Sequence, residues 1–520
     1  MEYSEDDKKI LNYFFTNLDK PIFAAKNFHP EVWALMQARY SRSREGLRES
    51  FLKLLKEDSR NFEILKQEID KTSGGKATRH ATEKAIQFME RWVLGFGHSS
   101  VAEGAVVGLA LEGVSILATK VIENCRLCSF IEKSTRYVSF DNKSFYIDED
   151  LKNSEFYPEI KELLELLFKT YMELHEPVLE YVKKVAPKDP KTPLPAWERA
   201  CASRRFDAVR YLLPICTKTS LGWTVNARQL AHGISKLLSH PLKEMNEIGE
   251  MIKVEASKVL PSLLRYADRN NYFVETEKSM DEISPAIEIE DGNSEPVTLV
   301  KGPSDADDII VASILYRYKR QPMSKIIEKV KQMTKEEKEK ILDIYLGKMG
   351  RFDYPMRELE HAQFLFDIII DYGAFRDLQR HRICTQTNQI ITTNLGYAVP
   401  KDIVDAGGEE KFRKAMEKAK EVYEKVAEKY PLQSQYLLPL GFKKRYICSM
   451  NLREIYHLVK LRTIPLAHES YRKIAYLIYE QMKEKYPLLS KYIECNYTEE
   501  ELGRLKSEEK TEKLEGVGPL

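Results

Sequence analysis

Two stretches of this chain repeat in one register. Leu212-Leu213-Pro214 is followed after 11 residues by Asn226-Ala-Arg228-x-x-x-His232, and Leu437-Leu438-Pro439 is followed after 11 by Asn451-Leu-Arg453-x-x-x-His457. Weaker echoes keep the same order: Ala38-Arg39-Tyr40 with Tyr316-Arg317-Tyr318, and Arg126-Leu-Cys128 with Arg382-Ile-Cys384. A repeat in conserved order restricts the fold more than composition does, because whatever one copy forms the other must be able to form too. The first copy is about 31 residues longer between its two blocks, and the helical run 159–185 suits that insertion. The expected organisation is a first lobe at 1–270, a linker rich in Asp, Glu, Ser, Asn and Pro at 271–305, a second lobe at 306–498, and a flexible tail at 499–520.

Helical periodicity dominates. Ile160, Leu163, Leu164, Leu167, Tyr171 and Leu174 keep a 3.6-residue spacing, as do Ile455, Leu458, Val459 and Leu461. Strand-like text is confined to short pieces, notably 137–147 and 390–399. The class expected is α+β and helix-dominated, as a tandem of two lobes, each with a small sheet packed by helices. Lys+Arg 81 against Asp+Glu 80 leaves no global field to gather nucleic acid or acidic lipid, so an anionic ligand must be held locally. Seven cysteines, an odd number, suit free thiols in a reducing cytoplasm. The apolar stretches 101–122 and 364–374 carry charges and predict no transmembrane helix.

Arg376-Asp-Leu-Gln-Arg380-His381-Arg382 places three arginines and a histidine within seven residues of an otherwise apolar helix. Alone, that run reads as a solvated basic face. The matching place in the first copy offers Arg126, Glu132, Ser134, Arg136 and Tyr137. Hydroxyls and guanidinium forks at such a corner suit a phosphate or a nucleobase, because the forks hold oxygens in pairs. In the repeats, Asn226/Arg228/His232 and Asn451/Arg453/His457, helix capping and surface charge are equally good readings. Gly97-His98-Ser99-Ser100 before Glu103 reads as a loop entering a helix, able to cap it or to receive an anion. Cys125-x-x-Cys128 has no second pair at zinc spacing, so no metal is expected. Gly-x-Gly-x-x-Gly and Walker motifs are both lacking, which leaves phosphate to side chains.

Together these residues resemble the flavin-dependent thymidylate synthases. Arg380-His381-Arg382 and Glu132-x-Ser134-x-Arg136-Tyr137 look like the two ends of that family's signature, Arg-His-Arg-x7-Ser-x-Arg-Tyr. Gly97-His98-x-Ser100 and Glu360-His361 resemble its upstream block, and Arg210-x3-Pro214-x11-Asn226-Ala-Arg228 its downstream block. The resemblance implies FAD as cofactor, dUMP as methyl acceptor, methylenetetrahydrofolate as carbon donor and NADPH as reductant. It also implies a homodimer of the tandem chain standing in for the family's tetramer. It assigns Arg136, Arg210, Arg380 and Arg462, with Ser134, to the nucleotide, and Arg380, Arg462 and Arg136 to catalysis. His98, Ser100, Glu132, His381, Arg382, Asn226, Arg228, Asn451 and Arg453 fall to the flavin.

The departures from the family pattern are complementary. The first copy has Asn124-Cys125 where Arg-His is expected, Gly104 for an upstream His and Leu237 for a downstream Arg, and the second supplies Arg380, His381, His361 and Arg462. The second copy has Ile390, Thr392 and Gln435 where the first keeps Ser134, Arg136 and Arg210. One composite site drawn from unlike lobes is therefore expected. The alternatives are a flavin- and nucleotide-binding methyltransferase or reductase with a changed acceptor, and a non-catalytic nucleotide-binding paralogue.

Overall fold

The computed structural model describes residues 3–41, 43–56, 99–141, 144–289, 292, 295–498 and 500–515. Among the described residues helices dominate, accompanied by two small sheets. The chain divides into two compact units. One comprises Met1–Glu112, Cys125–Glu132 and Ser220–Glu288; the other comprises Gly113–Asn124, Lys133–Thr219 and Ile289–Leu520. The second unit thus holds segments of both sequence copies.

The first unit carries most of a sheet ordered β1 (Val106–Ser115), β3 (Lys218–Asn226), β2 (Cys128–Glu132), with β2 and β3 antiparallel from Cys128↔Val225 to Glu132↔Leu221. Trp223 of β3 is fully buried and stacks on Phe130 at 5.9 Å. β3 turns directly into the helix Ala227–Leu238, where the Asn226 side chain accepts from the Gln229 amide at 2.9 Å. That contact satisfies one of the donors a helix start leaves unpaired. Gly233 lets the helix lie against the sheet, since a Cβ there would meet Trp223 at 2.9 Å. The helix Asn271–Ile283, within the stretch expected as a linker, buries none of its residues.

The second unit is built on a four-stranded antiparallel sheet, β4 (Val297–Lys301), β5 (Gln363–Asp371), β7 (Lys443–Asn451), β6 (Thr385–Asn388), in that order. β4 also comes from the expected linker. β5 and β7 pair from Gln363↔Asn451 to Asp371↔Lys443. Phe364, Phe366, Ile368 and Ile370 of β5 are buried. These four share one face; the other is exposed at Gln363 and half-buried at Leu365 and Asp367, and only at Ile368-Ile369-Ile370, where both faces are buried, does the strand read as an unbroken apolar run. Conversely, the described residues of the strand-like stretches 137–147 and 390–399 are largely irregular, each stretch making one isolated bridge among them, Phe145↔Thr217 and Tyr397↔Phe442. Their aromatic residues pack without a ladder.

Within this unit the repeated Leu-Leu-Pro motifs hold each other. The Ile215 amide donates to the Leu438 carbonyl and the Leu440 amide to the Leu213 carbonyl, both at 2.9 Å; Cys216 donates to Tyr436 and Gly441 to Tyr211, both at 3.0 Å. Each bond has a partner related by exchanging the copies, which is the signature of a twofold contact between equivalent surfaces. The segment expected as a flexible tail contains a helix, Leu505–Glu515. It is tied down by Arg199, whose Nε and Nη2 donate to Glu508 and Glu512 at 2.8 Å each.

Beside these motifs, on the long helix Tyr157–Val185, His175 has a buried Nε2 with no partner, and burial and then Arg205 push its pKa down to about 4. The imidazole stays neutral in the fold but takes a proton in the unfolded chain below about pH 6.5. Stability should therefore fall as pH drops from about 6.5 toward 4. We expect His175→Leu to lose less melting temperature than the parent between pH 6.5 and 4.5, as read by scanning calorimetry at several pH values.

Candidate functional site

The ends of several helices and one loop of the second unit converge on a cluster of arginines. β5 ends at Asp371, whose carboxylate caps the helix Tyr372–Leu378 by accepting from the Ala374 amide at 2.8 Å. That helix delivers Arg376, Asp377, Arg380 and His381 together. The loop after β2 is turned by Ser134, whose hydroxyl accepts from the Arg136 amide at 3.1 Å. The Thr135 hydroxyl, buried, lies between Arg376 Nη1 at 3.3 Å and Arg210 Nη1 at 3.5 Å.

Arg136 is clamped. Its Nε and Nη2 donate to the two oxygens of Asp207 at 2.7 and 3.0 Å, and its Nη1 donates to Tyr471 Oη at 3.0 Å. Burial opposes its charge, but Asp207 outweighs burial and raises the guanidinium's pKa. Arg210 is 2% exposed, and its Nε and Nη2 are buried with no partner. A buried guanidinium with open donors is costly unless an anion completes it. Asp377 sits at the centre. Burial alone would lift its pKa, but Arg380, then Arg136, Arg462 and Arg210, hold it far below the ordinary carboxylate range. Arg380 pairs directly with it and keeps 40% of its side chain exposed. Arg462 Nη2 donates to the Asp377 carbonyl at 2.8 Å.

Arg462 is fixed from its other side by a relay. Its Nε donates to His381 Nε2 at 2.8 Å, and His381 Nδ1 lies 2.7 Å from Glu454 Oε1. Since Nε2 accepts, the imidazole proton must reside on Nδ1 and point at Glu454. Burial, then Arg462 and Arg380, push His381 well below its usual pKa, so it is neutral and its tautomer is set. His381, Glu454 and His457 place one ligand atom each within 4.8 Å of one another, close enough to suggest a metal. The relay argues otherwise. A cation on Nδ1 would need the proton moved to Nε2, against the donating Arg462.

Of the residues assigned to the nucleotide, Arg136, Arg210, Arg380 and Arg462 meet around Asp377, and Ser134 shapes the loop that carries Arg136. Those assigned to the flavin divide between the units. Ser100, exposed, Glu132, Asn226 and Arg228 belong to the first, where Arg228 pairs with Glu103 at 2.6 Å. His381, Arg382, Asn451 and Arg453 belong to the second. There Asn451 caps the helix Leu452–Arg462 through the Glu454 amide at 2.8 Å, and Arg453 pairs with Glu360 at 3.2 Å. Arg228–Glu103 and Arg453–Glu360 are the same ion pair in the two copies. His98 lies outside the described residues. Thr135, Asp207, Asp377, Glu454 and Tyr471 were not singled out from sequence. Asp377, Thr135 and Glu454 adjoin motif residues, so they left a local signal that Asp207 and Tyr471 did not.

The family model described as thymidylate synthase complementing protein matches residues 35–262 and again residues 298–488. The chain belongs to that family. It is a tandem member, with the two matched segments in one polypeptide. A "UPF0159 protein" of Chlamydia muridarum is 34% identical over 98% of each chain. A flavin-dependent thymidylate synthase of Saccharolobus solfataricus is 31% identical over 26% of this chain and 55% of its own length, and one of Thermococcus onnurineus 26% identical over 29% and 53%. Among the described residues, no helix is long and apolar enough to cross a membrane.

Replacing Asp377 by Asn leaves its arginines facing one another in a buried site, which typically costs about 3–5 kcal/mol. The expected outcome is a folded but less stable Asp377→Asn, whose melting temperature recovers more on adding inorganic phosphate than the parent's does.

Proposed function

We propose that the chain catalyses flavin-dependent reductive methylation of dUMP to dTMP, with methylenetetrahydrofolate as carbon donor and NADPH as reductant, at one composite site per chain. The observation that carries this reading is the meeting of Arg136 and Arg210 from the first sequence copy with Arg380 and Arg462 from the second around Asp377. The arginines outnumber the carboxylates, and Arg210 has open donors. That is a site for a phosphate and for uracil oxygens. Negative charge must build on those oxygens before the 5-carbon can attack, and preorganised donors in a water-poor site stabilise it best.

Each side chain has a task. Arg380, half open, meets the entering nucleotide. Arg136, held flat by Asp207 and Tyr471, presents its remaining hydrogens in one plane. His381 moves no proton; it holds Arg462 in register. Exposed Arg382 and part-exposed Arg453 carry cationic donors suited to the diphosphate of FAD. When bound, FAD supplies the hydride chemistry, which the protein does not. Pairing of two chains as a homodimer belongs to the same reading.

A single site per chain is supported by what occupies the equivalent place in the first copy. There Lys120 and Glu123, at the positions of Arg376 and Gln379, form a buried ion pair with each other. The cation already has its anion. Flavin titration should saturate at one FAD per chain, and Arg136→Ala and Arg380→Ala should each lower dUMP turnover by at least a hundredfold. Two FAD per chain, or half the activity surviving either substitution, would reject the composite site. A colourless protein that still binds dUMP would favour the non-catalytic alternative.

A further inference from the structure

We infer that Arg504, carried on the segment that follows the family-matched residues, is a positioning residue for Arg136; the inference rests on the nucleotide reading of the arginine cluster. Arg504 is 5% exposed, and its Nη2 donates to Asp207 Oδ2 at 2.6 Å, the oxygen that also accepts from Arg136 Nη2 at 3.0 Å. Asp207 is thus gripped from two sides. A carboxylate turns readily about its terminal torsion, and a guanidinium bound to it with both forks turns with it. With Arg504 in place the Asp207 plane is fixed, and so is the direction of the hydrogens Arg136 has left.

The surroundings hold Arg504 for this task. Its Nε donates to the Leu466 carbonyl at 3.4 Å, and its guanidinium lies over the Tyr137 ring at 5.1 Å. Gly503 presses the chain against Pro465: a Cβ there would stand 2.0 Å from the Pro465 carbonyl oxygen, so no side chain fits. Arg204 binds Glu501 at 2.6 Å on one flank, and Arg199 holds Glu508 and Glu512 on the other. Arg504, Asp207, Tyr211 and His468 also line a cleft of about 750 Å³, so the same segment borders open space beside the cluster.

The test compares the full chain with Arg504→Gln, Arg504→Lys and Arg504→Gly by two readouts. One is calorimetric titration with dUMP; the other is phenylglyoxal modification, with mass spectrometry following Arg136. Arg504→Gln should weaken dUMP binding on the order of tenfold, as for loss of a hydrogen bond to a charged group. It should also speed labelling of Arg136 several-fold. Arg504→Lys, keeping the charge without the fork, should fall between, and added methylguanidinium should restore Arg504→Gly toward parental affinity. Unchanged Arg136 labelling in a folded Arg504→Gln overturns the inference whether or not dUMP binds. Should Arg504→Gln fail to fold, the same labelling in Arg504→Lys decides. If the parent protein does not bind dUMP while Arg136 labelling still rises, the nucleotide reading falls and the positioning role stands.

Discussion

The rest of the second unit depends on four backbone hydrogen bonds exchanged between the Leu-Leu-Pro motifs of the two sequence copies. They use main-chain groups that would otherwise be buried unpaired, which costs more than the bonds themselves return. This makes the register between copies strict. A shift by one residue would break the reciprocity of all four. Because Tyr211 and Leu213 adjoin Arg210 in sequence, fixing their partners also fixes where Arg210 stands relative to the helix carrying Arg376 and Asp377.

Helix caps do comparable work at shorter range. Asn226 and Asn451 start equivalent helices with the same contact, and Asp371 starts the helix that holds Asp377 and leads into Arg380 and His381. The modest reading of the repeated asparagines, helix capping, describes what their side-chain oxygens do. Their neighbours Arg228 and Arg453 make one conserved type of pair, with Glu103 and Glu360. Much of the repeated motif is therefore architecture, and the proposed chemistry falls to residues by which the copies differ.

The duplication, the helical class and the positions of Arg136, Arg210, Arg380 and Arg462 were legible because each leaves a trace within a few residues. Partners distant in sequence were not. Asp207 meets Arg136 across 71 residues, and Tyr471 meets it across 335. Nothing local marks Asp207 among the many acidic residues of the chain. The strands were misplaced for a related reason. β5 is buried on both faces at its C-terminal end and loses its alternation there, whereas the aromatic residues of 137–147 and 390–399 are set by packing rather than by a ladder. The segment 499–520 reads as polar and frayed because its helix is held by ion pairs to Arg199.

The Lys120–Glu123 pair has a consequence for how such a chain can change. In an assembly of identical subunits every substitution appears at each symmetry-related place, so a glutamate that neutralises one position neutralises all of them. Joining two copies end to end lifts that constraint. One of the two equivalent places is then free to carry its own counter-ion and become scaffold, while its counterpart, where arginines of both copies meet, need not follow it.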